Sequence, residues 1–429
     1  MTRSGSATAP PAGRPQSGSL TASQFLKRHW QRRPLLMRQA SFGPRAEPLV
    51  DPGSFTAREL FALARNPDVE SRLVHAPAPP AADHAHGAHE TPETVSAAAA
   101  PASGRWRLRH GPFQRLPSLR QAGWSLLVQG VDLHLPAGRA LMDRFRFLPD
   151  ARLDDLMISF ATDGGGVGPH VDSYDVFLLQ VHGTRRWRIV APRPAALLPD
   201  APLKILADFE AEQSCLLEPG DMLYLPPGWA HEGTAVGDCM TCSIGFRSPS
   251  VAELRQAFFS FLADQDSAAH ASAAHASALA ERRYRDKTRE PVRHPAQIPG
   301  DMADTLRAWL EQYQPPAQLI DRFIGCYLTE PKPSVWFDGS QPQDRAAPAG
   351  AGVVLDAKTR MLYRRNVFYI NGEPLAPPAS DRPALTLLRA LADQRGLNAV
   401  QAARALRHPW LRDRLEDWLA CGWIRHANL

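Results

Sequence analysis

Eight short apolar runs lie between Arg105 and Arg247 of this 429-residue chain, and no long helical pattern separates them. They read RWRLR, WSLLVQGVDLH, DLMISFA, VFLLQV, RRWRIVA, EQSCLLE, DMLYLP and CSIGF. Apolar and aromatic residues fill them, and Gly, Pro and Asp punctuate them. Strands this short and this closely spaced build an antiparallel sandwich or barrel. On the N-terminal side, TASQFLKRHWQRRPLLMRQA predicts an amphipathic helix ended by Pro34 and followed by a strand. Ser54 is the expected N-cap of a second helix. From Val251 to about Arg345 the apolar spacing turns helical, most clearly in ELRQAFFSFLADQ and DMADTLRAWLEQY. After the linker DGSQPQDRAAPAGAG come two strands, GVVLDAKTRMLYRRN and VFYING. Helices follow around ALTLLRALADQ and LEDWLACGWIR, and the pattern suggests a winged-helix arrangement. The expected divisions are a disordered leader at 1–20, a strand-rich domain at 21–250, a helical region at 251–345 and a winged-helix-like domain at 346–429.

Composition narrows the class. No stretch approaches the roughly 20 apolar residues that span a bilayer, and the N-terminus lacks the apolar core of a secretory signal. A cytoplasmic protein is expected. Five cysteines fit a reducing compartment rather than a disulfide scaffold. Cys239 and Cys242 form a CxxC without a second pair at zinc-finger spacing, so two thiols on an apolar strand are expected there. The net charge is +5, and the segment from Ala351 to Leu429 accounts for all of it, with twelve basic residues against seven acidic ones. An anionic partner would therefore meet the C-terminal segment first. Residues 75–104 are a low-complexity insertion containing His75, His84, His86 and His89. A Pro- and Ala-rich frame fixes no coordination geometry, so it reads as a mobile insertion rather than a metal site.

The chemistry concentrates in two places. GGGVGPHVDSYDVFLLQ delivers His170 and Asp172, two residues apart, at the mouth of an apolar strand. EPGDMLYLPPGWAHEG delivers His231 after a stiff Pro-Pro-Gly turn. Two histidines and a carboxylate on one face of an octahedron suit ferrous iron and leave positions open. Each residue alone could equally be an ordinary polar loop group. Gly164, Gly165, Gly166 and Gly168 would let the chain fold tightly around the first pair. A phosphate-cradling role is poorly supported, because no GKS or GKT follows.

GPHVDSYDVF, RRWRIV and LYLPPGWAHEG resemble the JmjC-type ribosomal oxygenases, and FLKRHWQRRPLLMRQA resembles that family's N-terminal segment. The resemblance is closest to the bacterial branch, which hydroxylates an arginine of a large-subunit ribosomal protein. It implies an α+β chain with a double-stranded β-helix catalytic core of the jelly-roll, cupin type. It also implies a helical dimerisation region, a C-terminal winged-helix-like domain and a homodimer. The implied cofactors are Fe(II) and 2-oxoglutarate, and the implied iron ligands are His170, Asp172 and His231. A 2-oxoglutarate enzyme needs a buried cation for the far carboxylate. In TRRWRIV, Arg185 shares a strand face with Trp187 and Ile189, which favour the interior, so Arg185 is the candidate and Arg186 its one-residue neighbour. In LDDLMISFA, if Leu156, Ile158 and Phe160 pack between the sheets, Asp155 faces the cavity or its rim. Asp155 and Tyr174 are then candidates for holding a cationic substrate side chain. Three rival readings remain open: a histidine hydroxylase or lysine demethylase of the same superfamily, a metal-binding cupin sensor whose winged helix contacts DNA, and a purely structural cupin.

Overall fold

The computed structural model describes residues 16–17, 20–41, 47–51, 53–77, 105–269, 304, 305, 308, 315, 317–339 and 351–427. It divides into two compact units, one running to Ser248 with Pro333–Trp336 added, the other formed by Pro249–Lys332 and Phe337–Leu429.

The first unit holds β1 (Gln16–Ser17), α1 (Ala22–Arg28), β2 (Leu35–Arg38), α2 (Ala57–Leu63), β3 (Ser71–His75), β4 (Arg107–His110) and β5 (Trp124–Val128). It continues with α3 (Pro136–Asp143), β6 (Leu153–Ala161), β7 (His170–Val171), β8 (Val176–Val190), β9 (Gln213–Leu217), β10 (Met222–Leu225) and β11 (Ala230–Phe246). One sheet takes in all eleven strands, in the order β1-β2-β10-β8-β11-β6-β5-β3-β4, with β7 on β11 and β9 on β8. Two sequence runs, VFLLQV and RRWRIV, are one continuous strand, β8. Its first part pairs with β10 and the end of β11; its last part pairs with β9 and the start of β11. The register slips between Val236 and Thr241, around Gly183 of β8. Gly183 has φ +60°, and a Cβ there would stand 2.0 Å from the Asp238 carbonyl oxygen. A slip of this kind bends and twists the strand, so β8 and β11 each serve both walls of a jelly roll.

Strand alternation sorts the side chains. Leu156, Ile158 and Phe160 of β6 pack with Phe177, Leu179 and Ile244 against Phe25 of α1, Leu60 of α2 and Leu141 of α3. The apolar set was expected between sheets; it faces the helices instead. Asp155, Met157 and Ser159 still turn to the opposite side, where a cavity lies. Phe25 is fully buried and meets Tyr224 edge-on at 4.9 Å. Truncating such a residue to alanine costs about 3–5 kcal/mol.

Two local expectations change. The second helix is capped by Thr56 and not Ser54, because Thr56 and Glu59 form a reciprocal capping box. Helix α1, capped likewise by Thr21 and Gln24, already ends at Arg28, well before Pro34. The leader expected to be disordered contributes β1, which pairs parallel to β2 through Gln16 and Ser17; residues 1–15, 18 and 19 lie outside the described residues. Residues 78–104, which hold most of the His-rich insertion, also lie outside them.

The second unit holds α4 (Val251–Ala269), α5 (Ala317–Thr329), β12 (Val353–Leu355), β13 (Met361–Arg364), β14 (Val367–Ile370) and β15 (Glu373–Leu375). After these come α6 (Arg382–Gln394), β16 (Gly396–Leu397), α7 (Ala399–Arg407), α8 (Pro409–Ala420) and β17 (Ile424–His426). GVVLDAKTRMLYRRN is not one strand but two, in different sheets: β16-β12-β17 and β13-β14-β15. A turn in which the Thr359 amide donates to the Asp356 carbonyl separates them. Leu385, Leu388 and Leu391 of α6 pack with Leu411, Leu415 and Trp418 of α8 in one core. The helix expected over DMADTLRAWLEQY lies largely outside the described residues. Among those described, no helix is long and apolar enough to cross a membrane.

Candidate active site

His170 and His231 sit opposite each other where β7 pairs with β11. Their ring centroids are 4.2 Å apart, and Nε2 of His231 lies 3.6 Å from Oδ2 of Asp172. Each of the three residues offers one ligand atom, and these atoms lie within 4.8 Å of one another; among the described residues no other His, Cys, Asp or Glu group does this. The two imidazoles are fixed in the same way. Nδ1 of His170 is 2.9 Å from the Gly168 carbonyl oxygen, and Nδ1 of His231 is 3.0 Å from that of Trp229. A carbonyl only accepts, so each Nδ1 carries the proton and each Nε2 keeps its lone pair for a cation. His231 is 2% exposed. Burial, and then the repulsion this ring would meet from a protonated His170, push its pKa down to about 4, so the ring is neutral at neutral pH.

The glycine turn before His170 makes this geometry possible. A Cβ on Gly166 would stand 2.5 Å from the Gly233 carbonyl oxygen on β11. Gly168, at φ +78°, sits beneath the Trp106 ring, 2.9 Å from where its own Cβ would be. Only glycine meets both demands. The other end of the loop is anchored by Asp175, which is wholly buried. Its carboxylate accepts from the Tyr224 hydroxyl at 2.6 Å, from Nε2 of Gln31 at 3.0 Å and from Arg152 at 3.1 Å. Burial, and then that carboxylate, raise the Tyr224 hydroxyl well above its usual range, so it stays a donor. Sequence reasoning passed over Asp175, although it lies three residues past Asp172 in the same motif.

The triad opens into a cavity of about 760 Å³ that is also lined by Asp155, Tyr174, Arg185 and Trp187. Arg185 is 5% exposed, whereas Arg186 faces solvent. Nη1 of Arg185 donates to the Ser159 hydroxyl at 3.1 Å, while Nε and Nη2 are buried with no partner. Those two nitrogens form one edge of the guanidinium. The same edge of Arg146 grips the Asp150 carboxylate through two bonds of 2.9 and 2.7 Å. The free edge of Arg185 is therefore shaped for a carboxylate. Trp187 lies between this cation and the triad, its ring 5.7 Å from the Arg185 guanidinium carbon and 5.9 Å from the His231 ring.

Asp155 and Tyr174 meet at Gly245. A Cβ there would contact Asp155 Oδ1 at 3.6 Å and the Tyr174 ring at 3.9 Å. Asp155 is buried and accepts from Nε2 of Gln129 at 3.2 Å; Tyr174 is exposed at the mouth. Sequence reasoning gave Ser159 and Gln129 no role, because a polar residue on a strand looks alike from either face until the sheet closes. Cys239 and Cys242 are both buried in β11, and burial raises the Cys242 thiol far above its usual range.

A model of the JmjC domain matches residues 140–254, and a model of the ROXA-like winged helix matches residues 307–425. The ribosomal protein uL16 3-hydroxylase of Escherichia coli is 33% identical over 91% of this chain and 94% of its own length. A crystal structure of the Escherichia coli protein ycfD superposes with a TM-score of 0.74 at 32% identity, covering 95% of this chain and 98% of that one. A structure of the ribosomal oxygenase YcfD from the same organism, in complex with cobalt and 2-oxoglutarate, gives a TM-score of 0.69 at the same identity and coverage. With a cupin core, a winged helix and kinship over nearly its whole length, the chain belongs to the JmjC-type ribosomal oxygenases.

Proposed function

We propose that the protein is an Fe(II)- and 2-oxoglutarate-dependent hydroxylase that acts on an arginine side chain of a large-subunit ribosomal protein. The observation that carries this reading is the free, buried carboxylate-binding edge of Arg185 in the same cavity as a two-histidine, one-carboxylate cluster. A metal sensor has no use for a buried guanidinium edge, and a structural cupin needs neither group.

His170, Asp172 and His231 would hold the iron. The donor set fits, since both imidazoles present a lone pair and the carboxylate supplies the charge. When bound, iron(II) and 2-oxoglutarate would use dioxygen to hydroxylate a C–H bond, one oxygen atom going to the product and the other to succinate as carbon dioxide leaves. Arg185 takes the far carboxylate through Nε and Nη2, and Ser159 keeps the guanidinium from rotating away. Met157, Val176, Leu178 and Trp187 line the cavity with apolar surface and exclude water around the reacting atoms. Asp155 neutralises a cationic target side chain, and the Tyr174 ring flanks it. The relative named as a uL16 3-hydroxylase supports a ribosomal protein as substrate.

The protein acts in the cytoplasm as a homodimer, paired through its helical segment. Among the described residues, Phe259 of α4 and Ile320 of α5 remain exposed although their neighbours Phe258 and Phe323 pack together at 5.1 Å. In the last domain Arg412 and Arg414 of α8 are paired with Asp413 and Asp417.

The test is incubation with Fe(II), 2-oxoglutarate and a digest of ribosomal proteins, followed by peptide mass mapping. A one-oxygen mass gain on an arginine, coupled to succinate and lost in His170→Ala, is the expected result. Salt-sensitive binding to duplex DNA with no peptide oxidation would favour the sensor instead.

A further inference from the structure

Gln129 follows β5 directly and lines the cavity beside Leu127. Its amide has only one sensible orientation. Nε2 donates to Oδ2 of Asp155 at 3.2 Å. The amide oxygen must therefore point away from Asp155. That oxygen, Oε1, is buried and has no hydrogen-bond donor. Arg72 of β3, which also lines the cavity, does not supply one: its Nε is itself without a partner and stands 4.0 Å from the Glu70 carboxylate. A buried acceptor left unmet costs about 1–3 kcal/mol, so its retention in a cavity calls for a donor that arrives from outside.

We propose that Gln129 Oε1 accepts a hydrogen bond from the target side chain, which makes Gln129 a specificity-determining residue for a side chain carrying several donors. The proposal rests on the hydroxylase reading and narrows its substrate class. Asp155 on β6 and Gln129 just past the end of β5 place two acceptors side by side, joined by one hydrogen bond yet aimed differently. A guanidinium carries five N–H donors in a rigid planar fork and can meet both at once. An ammonium concentrates its donors on a single atom. An imidazole has at most two, on opposite sides of the ring. The planar Tyr174 ring at the mouth suits the same flat cation.

The experiment measures peptide binding without turnover. The protein is loaded with Mn(II) and 2-oxoglutarate under argon, and calorimetry follows a uL16 peptide carrying arginine at the modified position and a second peptide carrying lysine there. In Gln129→Leu, the arginine peptide should bind about 10- to 100-fold more weakly, while the lysine peptide changes less than about threefold and 2-oxoglutarate affinity is unchanged. Gln129→Met is a second apolar variant of similar size should the first fold poorly. Equal losses for both peptides, or arginine-peptide binding close to wild type, would overturn the proposal. The parent reading is judged separately, by which residue gains oxygen in the wild-type protein. If that residue is a histidine, the arginine assignment falls and takes the guanidinium argument for Gln129 with it, whereas a failed Gln129 test leaves the arginine assignment standing.

Discussion

Replacing Arg185 with methionine separates the ligand-binding role of this residue from any structural one. In the ligand-free protein the guanidinium makes one hydrogen bond, to Ser159, and keeps two buried donors unmet. A buried cation so poorly partnered contributes little to stability, and an apolar replacement of similar volume is often neutral or stabilising. The melting temperature of metal-loaded Arg185→Met without cosubstrate should therefore match or exceed that of wild type. Cosubstrate binding should behave in the opposite way. Two charge-assisted bonds at about 1.5–3 kcal/mol each set a loss of at least about 100-fold in 2-oxoglutarate affinity. Thermal shift makes the contrast visible. A ligand at 100 times its dissociation constant stabilises by about 2.7 kcal/mol, and after a 100-fold loss the same concentration stabilises by only about 0.4 kcal/mol. Arg185→Lys should recover part of the shift, because an ammonium restores the charge but not the two-bond edge. The reasoning fails if Arg185→Met binds 2-oxoglutarate within about threefold of wild type, or if its ligand-free form loses several kcal/mol.

Three other outcomes follow from the same geometry. Asp155→Ala should abolish peptide oxidation while 2-oxoglutarate and metal affinities hold, measured by calorimetry beside mass mapping; undiminished oxidation would remove Asp155 from the substrate pocket. The metal-free protein should lose stability as pH falls from about 6.5, the ordinary histidine value, toward 4. His231 is held neutral by burial in the fold while its unfolded counterpart takes up a proton; urea midpoints across that range read the slope, and His231→Gln should flatten it. Gly166→Ala drives a Cβ to 2.5 Å from the Gly233 carbonyl oxygen and should cost about 1–3 kcal/mol along with metal affinity, seen in denaturant titration and a Co(II) absorption titration.

The sequence carried the site further than it carried the fold around it, and the reason lies in how each is encoded. His170, Asp172 and His231 stand out because chemistry restricts which side chains can hold a divalent ion, and the Gly and Pro residues beside them announce rigid turns. Once the family resemblance called for a buried cation, strand parity singled out Arg185: Trp187 and Ile189 choose the interior, and a period of two carries Arg185 with them. The same parity put Asp155 on the cavity side, though for an incomplete reason, since Leu156, Ile158 and Phe160 were assigned to the space between sheets when α1, α2 and α3 cover them. Local pattern shows that a face is apolar and not which element will cover it. Length failed for a related cause. VFLLQV and RRWRIV looked like two strands because Gly183 breaks the pattern, yet a glycine inside a strand also marks a bend where two backbones touch. Gln129 and Ser159 were invisible because their roles depend on partners 26 residues away in each case, Asp155 and Arg185. A polar side chain on a half-buried strand acquires its meaning only when the sheet rolls up and decides which acceptors and donors are left unpaired.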